Sequence, residues 1–418
     1  MNRFRQLTSY FTFAFAIVAA PLGAQPLSLD EALRVGEEQA PRLLAQRAMV
    51  TSAGHQAARA GELPDPRLRL GIENLPITGT DKFRYDRDFM TMRSIGWMQE
   101  FPNAAKRSAR GARAERARDV EQATLTSQRA MLHREITLAW FDVHFAERTR
   151  DALEVLVRSF AAQADAVAAS VVRGRSSAAD SFMLRSALEQ TRDRVIDQER
   201  MISRARIALA AFLGEEAKRP LGAASDTGKL AYSREALLAR LQQLPQLRVF
   251  DERESLARAE IELARSMKSP DWSLEVGYSQ RRPVFDNMLT AMVAIELPWQ
   301  AERRQDKDIA SKLAEADQVR AQREDARRTH EAEIRGWFAD YDTAGTRFER
   351  FERVLLPLAR ERVAAALAAY RGGRGELAGV LEANRALVDT ELGLIAVKAE
   401  RSRAWTNLGL QYPHEVTK

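Results

Sequence analysis

Apolar residues recur at two spacings along this chain, and the two spacings predict different elements. Over residues 103–172 they return every third or fourth position without a proline, as in Leu132, Ile136 and Trp140, which predicts a very long amphipathic helix. Over residues 67–73 apolar and polar residues alternate strictly, which predicts a strand. The chain is therefore expected to be mainly α with a small β part.

The same pattern occurs twice, about 200 residues apart. Trp140 returns as Trp337, 197 positions later, and Asp65 returns as Asp271, 206 positions later. Each copy has the order helix, strand pair, long helix, turn and helix, and a duplication explains this order. The predicted first repeat covers 25–218, with an opening helix at 29–61, a β-hairpin at about 66–101 and long helices at about 103–213. The predicted second repeat covers 219–418, with an opening helix at 234–266, a β-hairpin at about 271–299 and long helices at about 300–410.

The first 24 residues have the pattern of a secretory signal peptide. Basic residues at the start precede an apolar run at 11–20, and small residues follow it up to Ala24. The run is short for a membrane anchor, which needs about 20 apolar residues. We therefore expect an exported mature chain that starts at residue 25, with no transmembrane helix after it.

The strand segments combine one apolar face with one mixed face. Over residues 288–297 the odd positions are apolar, whereas Met292 and Glu296 lie on the other face. Strands of about 10 residues suit a tilted membrane span, and Trp272 and Trp299 stand where an interfacial aromatic belt would lie. Because the smallest membrane barrels have about eight strands, four strands require several chains to close. The alternative is a soluble hairpin packed on a helical core.

Composition excludes several kinds of chemistry. The 418 residues include no cysteine, which excludes disulfides, cysteine-ligated metals and thiol nucleophiles. The net charge of +6 comes from 64 basic and 58 acidic residues that are intermixed, so nucleic acid is not an expected partner. No nucleotide-binding, esterase or zinc-protease motif occurs, and the five histidines lack ligand spacing. We expect neither an enzyme nor a cofactor, and no metal site.

Two turns rich in glycine and arginine are the most specific motifs. Residues 370–383 read Tyr-Arg-Gly-Gly-Arg-Gly-Glu-Leu-Ala-Gly-Val-Leu-Glu-Ala, and the earlier copy at 171–180 reads Val-Val-Arg-Gly-Arg-Ser-Ser-Ala-Ala-Asp. Together with the signal peptide, the duplication and the paired hairpins, these turns make the sequence resemble the TolC family of outer-membrane efflux channels, over essentially all of 25–413. The segments 64–76 and 98–102 resemble the branch of that family that exports heavy-metal cations.

The resemblance implies an architecture and a function. Three identical chains would build a 12-stranded transmembrane β-barrel in the outer membrane, continued by an α-helical barrel in the periplasm. This homotrimer would be the passive exit duct of a tripartite efflux system, surrounded by outer-membrane lipid. Its partners would be a periplasmic adaptor protein and, through the adaptor, an inner-membrane RND-type pump. A drug-efflux or type I secretion channel is an alternative, and a periplasmic coiled-coil structural or adaptor-like protein is the alternative of another class.

The resemblance also implies a periplasmic gate and docking tips. The carboxylate rings that close the channel in relatives fall on Gly379 and Glu382, which makes Glu382 the candidate constriction. The latch between an arginine and an aspartate in relatives falls on Gly375, next to Arg374, with Asp180 in the earlier repeat. The turns are expected to dock the adaptor through Arg173, Gly174, Arg175, Gly373, Arg374 and Gly375.

A lumen-facing set follows from strand parity. Glu100, Glu296 and Met292 share the predicted lumen face. Several other methionines share this parity, namely Met90, Met92, Met98 and Met288. Thioethers suit soft cations such as Cu(I) or Ag(I), but packing within the barrel wall is the preferred interpretation of these residues.

Overall fold

The computed structural model describes residues 25–173 and 177–410, and the predicted signal peptide lies outside these ranges. Over them the chain forms long helices and four strands, so the prediction of a mainly α protein with a small β part is confirmed. The elements of the first half are α1 (Leu29–Gln39), α2 (Pro41–Ala60), β1 (Arg67–Glu73), β2 (Met92–Phe101), α3 (Ala104–Val172) and α4 (Ala178–Leu213). Those of the second half are α5 (Arg234–Ala239), α6 (Pro245–Ser266), β3 (Trp272–Gln280), β4 (Met288–Ile295), α7 (Gln305–Arg350), α8 (Leu356–Arg371) and α9 (Leu377–Gly409).

The opening helix of each half is broken, where the sequence predicted one continuous helix. Ala40 separates α1 from α2 with an extended ψ of 108°, and Leu244 precedes α6 with an extended ψ of 132°. Each of these residues comes directly before a proline, Pro41 or Pro245, whose ring disfavours helical geometry in the preceding residue. The two prolines then start the next helix, a position where a missing N–H costs nothing.

Each half contains one very long, uninterrupted helical rod, α3 in the first half and α7 together with α8 in the second. Helix α3 has 69 residues, and α7 is joined to α8 by the π-helical segment Phe351–Leu355. Pro357 therefore does not interrupt this second rod, because the π-helical segment directly before it adjusts the backbone hydrogen bonding. Gly393 of α9 makes room for this segment, since a Cβ there would lie 2.6 Å from the ring of Phe351.

The elements lie side by side in three rows, one of strands and two of helices. The sheet has the order β1-β2-β3-β4, antiparallel throughout, with β2 and β3 joining the two halves. On the sheet side of the molecule the helix row is α2-α3-α6-α7, and towards the two turns it is α4-α3-α9-α8. Among the described residues each row has two uncovered edges. These are β1 and β4 in the sheet, α2 and α7 in the helix row on the sheet side, and α4 and α8 in the helix row near the turns.

Helix α3 lies within both helix rows. By length and composition it is the one helix of the described ranges that could cross a membrane. Within its most apolar 18-residue segment, 17% of the residues are buried. It packs against α2 and α6 in one row and against α4 and α9 in the other. These neighbours make α3 the shared central rod of the two rows.

Two apolar clusters hold the helices together in the first half. The first surrounds Trp140, which is fully buried between α1, α3 and α4 and whose Nε1 donates to the carbonyl oxygen of Leu27 at 3.3 Å. The second lies nearer the turns, where Phe160 of α3 meets Leu184 of α4 and Leu381 of α9. Because both clusters bury large side chains on α3, this helix is fixed at its middle and near its end.

Candidate channel wall and helical tips

One face of the sheet is apolar from edge to edge. Residues paired across an antiparallel sheet share a face, so Leu70, Ile95, Tyr278 and Leu289 form one apolar row. Most large members of this face are exposed, and Leu289 is 77% exposed. The apolar residues of this face are Leu68, Leu70, Ile72, Ile95, Trp97, Phe101, Trp272, Leu274, Val276, Tyr278, Leu289, Ala291, Val293 and Ile295, and its polar residues lie only near its ends. It does not pack beneath helices, as the soluble alternative required.

Aromatic residues mark the helix end of this face. The rings of Phe101 and Trp272 stack at 4.1 Å where the strands meet the helices, and Trp299, just beyond β4, is 86% exposed. Indole rings such as those of Trp272 and Trp299, which have an apolar body and one polar N–H, prefer the boundary between hydrocarbon and water. The placement of Trp272 agrees with the belt expected from the sequence.

The loop end of the same face explains its one charged residue. Arg93 is paired with Ile72 and Gln280, the last residues of β1 and β3 on this face before the loops. Its guanidinium lies over the ring of Tyr85, 5.4 Å from the ring centroid. An arginine at the edge of an apolar band can keep its stem on apolar surface while its charge reaches the polar boundary.

The opposite face of the sheet is polar and carries paired charges. Arg69 donates to Glu275 at 2.7 Å, and Arg67 lies 3.2 Å from Glu100. Glu100 and Met292 both lie on this face, where strand parity placed them. The charges of opposite sign neutralise one another across neighbouring strands, so the face is polar without a strong net field.

Glu296 is not part of the strand that was predicted to present it. Strand β4 ends at Ile295, two residues before the predicted end at 297. The amide of Glu296 still donates to the carbonyl oxygen of Asp271 at 2.9 Å, which continues the register of the β3–β4 ladder, and Pro298 two residues later has no N–H to extend it. Glu296 therefore lies at the junction between the sheet and the helices.

Asp271 fastens the sheet to the start of α3. Its carboxylate accepts a hydrogen bond from the Asn103 amide at 2.8 Å and from the Lys106 ammonium at 2.6 Å. Burial by itself raises the pKa of Asp271. The two hydrogen bonds lower the pKa by more than burial raises it, so the pKa lies below its ordinary value. Asp271 thus has a structural role, which accounts for this member of the repeated Pro-Asp pair.

A groove of about 940 Å³, lined by both charged and apolar residues, lies directly beneath the sheet, between α2, α3, α6 and α7. Asp65, two residues before β1, is part of its lining, and so is Arg110, which acts electrostatically on Asp271. The groove therefore continues the polar face of the sheet along the helices. Its charges are of both signs, and Glu260 is bound by Arg113 at 3.1 Å and by Lys312 at 3.3 Å.

The second turn is a tight connection between α8 and α9. Gly373 has a left-handed φ of 71°, and the Arg374 amide donates to the carbonyl oxygen of Ala369 at 3.0 Å. Gly375 approaches the preceding helix so closely that a Cβ there would lie 3.1 Å from the Ala369 Cβ. Arg374 is exposed and, within the described ranges, its side chain has no hydrogen bond or ion pair. The two glycines hold this arginine at the end of the molecule.

The first turn is described only at its two ends. Arg173 ends α3 and is exposed, whereas Gly174 and Arg175 lie outside the described residues. After the turn, Asp180 forms a reciprocal capping box at the start of α4: its Oδ2 accepts from the amide of Ser177 at 3.1 Å, and Ser177 Oγ accepts from the amide of Asp180 at 3.1 Å. Over the described part of the chain Asp180 and Arg374 do not meet, so one chain alone does not form the latch.

Glu382 lies on the exposed face of α9, one turn after Gly379, which is also exposed. Its Oε1 accepts a hydrogen bond from Arg362 of α8 at 2.7 Å. Sequence analysis did not identify Arg362, because a separation of 20 residues across a turn gives no periodic signal. The carboxylate at the candidate constriction is therefore paired with a cation in the same chain.

The long helical rods, the two turns and the four-stranded sheet define the fold of TolC-type outer-membrane channels, and the resemblance drawn from the sequence is confirmed for the fold. Among solved structures, CusC is similar with a TM-score of 0.78 and 16% identity, over 96% of this chain and 97% of that chain. VceC from Vibrio cholerae has a TM-score of 0.75 and 16% identity, with coverages of 92% and 96%. CmeC from Campylobacter jejuni has a TM-score of 0.77 and 12% identity, with coverages of 93% and 87%. No sequence-family profile matches the chain, and the comparison with curated proteins finds no match.

Proposed function

We propose that the chain is one subunit of a homotrimeric outer-membrane channel that gives substrates a passive exit duct. The observation that carries this proposal is the sheet, whose apolar face is exposed and whose edge strands β1 and β4 have no further strand beside them among residues 25–173 and 177–410. An open sheet with an apolar outer face needs partners for its edges and an apolar surrounding for its face. Three copies would supply 12 strands, enough for a closed barrel.

The helix rows support the same assembly. Helices α4 and α8 form the edges of the row near the turns, and both expose large apolar residues. Ile196 and Ile207 of α4 are 64% and 68% exposed, and Leu358 of α8 is 56% exposed. Contact between α4 of one chain and the continuous α7–α8 rod of the next would bury these residues and close the periplasmic helices into a tunnel. The polar face of the sheet and the groove beneath it would then line the lumen.

Pore formation tests this proposal. The full chain, purified from outer membranes in detergent, should run as a trimer on unheated gels and as a monomer after boiling. In planar lipid bilayers it should produce stepwise conductance. Recovery as a monomer in the soluble periplasmic fraction, with no conductance steps, would show that the chain is a periplasmic structural or adaptor-like protein instead.

We place the periplasmic gate at Glu382, with Gly379 one turn before it. In a trimer three Glu382 carboxylates would face a common axis, and each carries its own counterion in Arg362. Glu382→Ala should raise single-channel conductance, because it removes the side chain that narrows the opening. Glu400→Ala is the matched control. Glu400 lies on α9, as Glu382 does, but far from the turn, and it also pairs with an arginine, Arg347 of α7. Equal conductance of the two variants would argue against this gate.

The two turns are the proposed docking surface for a periplasmic adaptor. Exposed guanidinium groups such as Arg374 can donate to carboxylates or carbonyls of a partner. Arg374→Glu should leave the trimer intact and reduce crosslinking to the adaptor in cells. Arg158→Glu, an exposed change on α3 away from the turns, is the control. Undiminished crosslinking of the Arg374 variant would remove the turns from the docking surface.

Heavy-metal cations are the proposed substrate class, delivered by an RND-type pump through the adaptor. The resemblance of residues 64–76 and 98–102 to the metal-exporting branch supports this choice over drugs or secreted proteins. A strain lacking the gene should be more sensitive to one or more of copper, silver, zinc, cobalt and cadmium. Unchanged metal tolerance together with greater sensitivity to detergents or dyes would favour the drug-efflux alternative.

A further inference from the structure

Methionine is concentrated on the polar face of the sheet. The alternate positions on this face number 17: four on β1, five on β2, four on β3 and four on β4. Four of the 17 are methionine, against 11 of 418 in the chain, an enrichment of about ninefold. The four are Met92, Met98, Met288 and Met292.

Packing within the chain does not account for all four methionines: those of β4 are exposed, whereas Met92 and Met98 of β2 are half-buried. Met288 and Met292 are 47% and 56% exposed, so their side chains are not packed in the wall, which was the interpretation preferred from the sequence. A water-filled lumen favours polar side chains, and exposed thioethers there need a reason of another kind.

Two of the methionines flank one carboxylate in a single row. Met98 of β2 is paired with Glu275 of β3, and Glu275 is paired with Met292 of β4. Because neighbouring strands lie about 4.8 Å apart, the Cα atoms of the two methionines are separated by roughly 10 Å. Unbranched methionine side chains are long and flexible enough to bring both sulfurs towards the carboxylate from either side. Glu275 is itself held by Arg69, which orients it over Gly96.

We propose that Met98, Met292 and Glu275 form a transient binding site for a soft monovalent cation, of the Cu(I) or Ag(I) type. Thioethers select soft cations, and the Oε2 atom of Glu275, the carboxylate oxygen that Arg69 does not bind, can supply an oxygen ligand beside them. Met288 lies on the same face further towards the loops and extends the row of thioether ligands along the path. The inference rests on the proposed channel, because only there does this face line a path for ions. Threefold symmetry would repeat the site three times at one height.

Silver binding tests this site. Trimers of the full chain in nanodiscs are titrated calorimetrically with silver nitrate in chloride-free buffer, and zinc nitrate serves as a harder probe. The double variant Met98→Leu/Met292→Leu keeps side-chain volume nearly constant. Loss of two ligands should weaken silver binding at least roughly tenfold. This lower bound is what loss of a single supporting group next to the ligands costs in metal sites. Zinc binding should be unaffected.

The matched control is Met49→Leu/Met201→Leu, which removes two exposed methionines from helices α2 and α4. It should bind silver as the wild type does. Equal silver affinity of wild type and the Met98/Met292 variant, or no binding by the wild type, would overturn the site. Conductance of the wild type measured in parallel separates the two proposals: pores without silver binding leave the channel standing, whereas silver binding without pores overturns the channel.

Discussion

Replacement of Ala291 by arginine should prevent stable insertion of the assembled protein into a bilayer. Ala291 lies near the middle of β4 on the apolar face and is paired with Val276. An arginine that faces hydrocarbon near the midplane costs about 2–4 kcal/mol in membrane barrels. A trimer would carry this cost three times, which is a large part of the stability of an ordinary folded protein.

Thr290→Arg is the matched control for this experiment. Thr290 is the neighbour of Ala291 on the same strand, but it belongs to the polar face. In the proposed channel its arginine would reach water, so trimers should still insert and conduct. The measurement is the yield of heat-sensitive trimer in the outer-membrane fraction, followed by refolding into vesicles. If both variants inserted equally well, the apolar face would not be the lipid-facing wall.

Trp140→Ala should destabilise the helical part more than any substitution on its surface. Trp140 is fully buried, its ring stacks with His144 at 5.3 Å, and its Nε1 donates to the Leu27 carbonyl. Removal of such a ring leaves a cavity, which costs about 3–5 kcal/mol, whereas the Leu27 carbonyl keeps its hydrogen bond from the Gly222 amide. The expected readout is a lower melting temperature of the helical circular dichroism signal at fixed trimer concentration.

The internal repeat provides the control for this substitution. Trp337 occupies the position in the second half that Trp140 occupies in the first, but it is only half-buried at the edge of its apolar cluster. Trp337→Ala should therefore lower the melting temperature less than Trp140→Ala does. A larger effect at Trp337 would mean that the less buried cluster contributes more to stability than the cluster around Trp140, or that the trimer buries Trp337.

The elements of this fold were largely predictable from local patterns. Alternation in steps of two located β1, β3 and β4, because a strand with one apolar face must alternate, whereas Arg93 interrupts the pattern on β2. Periodicity of three to four located the long helices for the same geometric reason. The breaks before Pro41 and Pro245 were missed, although the rule for residues before proline would have found both. The end of β4 was placed two residues too late, although Pro298, which has no N–H to donate to the ladder, marks the end of the pairing.

The candidate gate and tips were predictable as positions and not as interactions. Glycine and arginine marked both turns, since left-handed backbone at Gly373 strongly favours glycine. The role of Asp180 as a helix cap follows from the local Ser-x-x-Asp spacing and could have been recognised. The pair of Arg362 and Glu382 could not, because it depends on how α8 and α9 align side by side after the turn.

The sequence by itself determined which residues are helical, which are extended, and which side of each strand is apolar, because these properties depend on neighbours a few positions away. Only the tertiary structure decided that β2 pairs with β3, which unites two separate hairpins into one sheet with a single apolar face and a single polar face. It also placed Met98, Glu275 and Met292 in one row. Such register between segments almost 200 residues apart is set by packing and hydrogen bonding in space, which no local pattern contains.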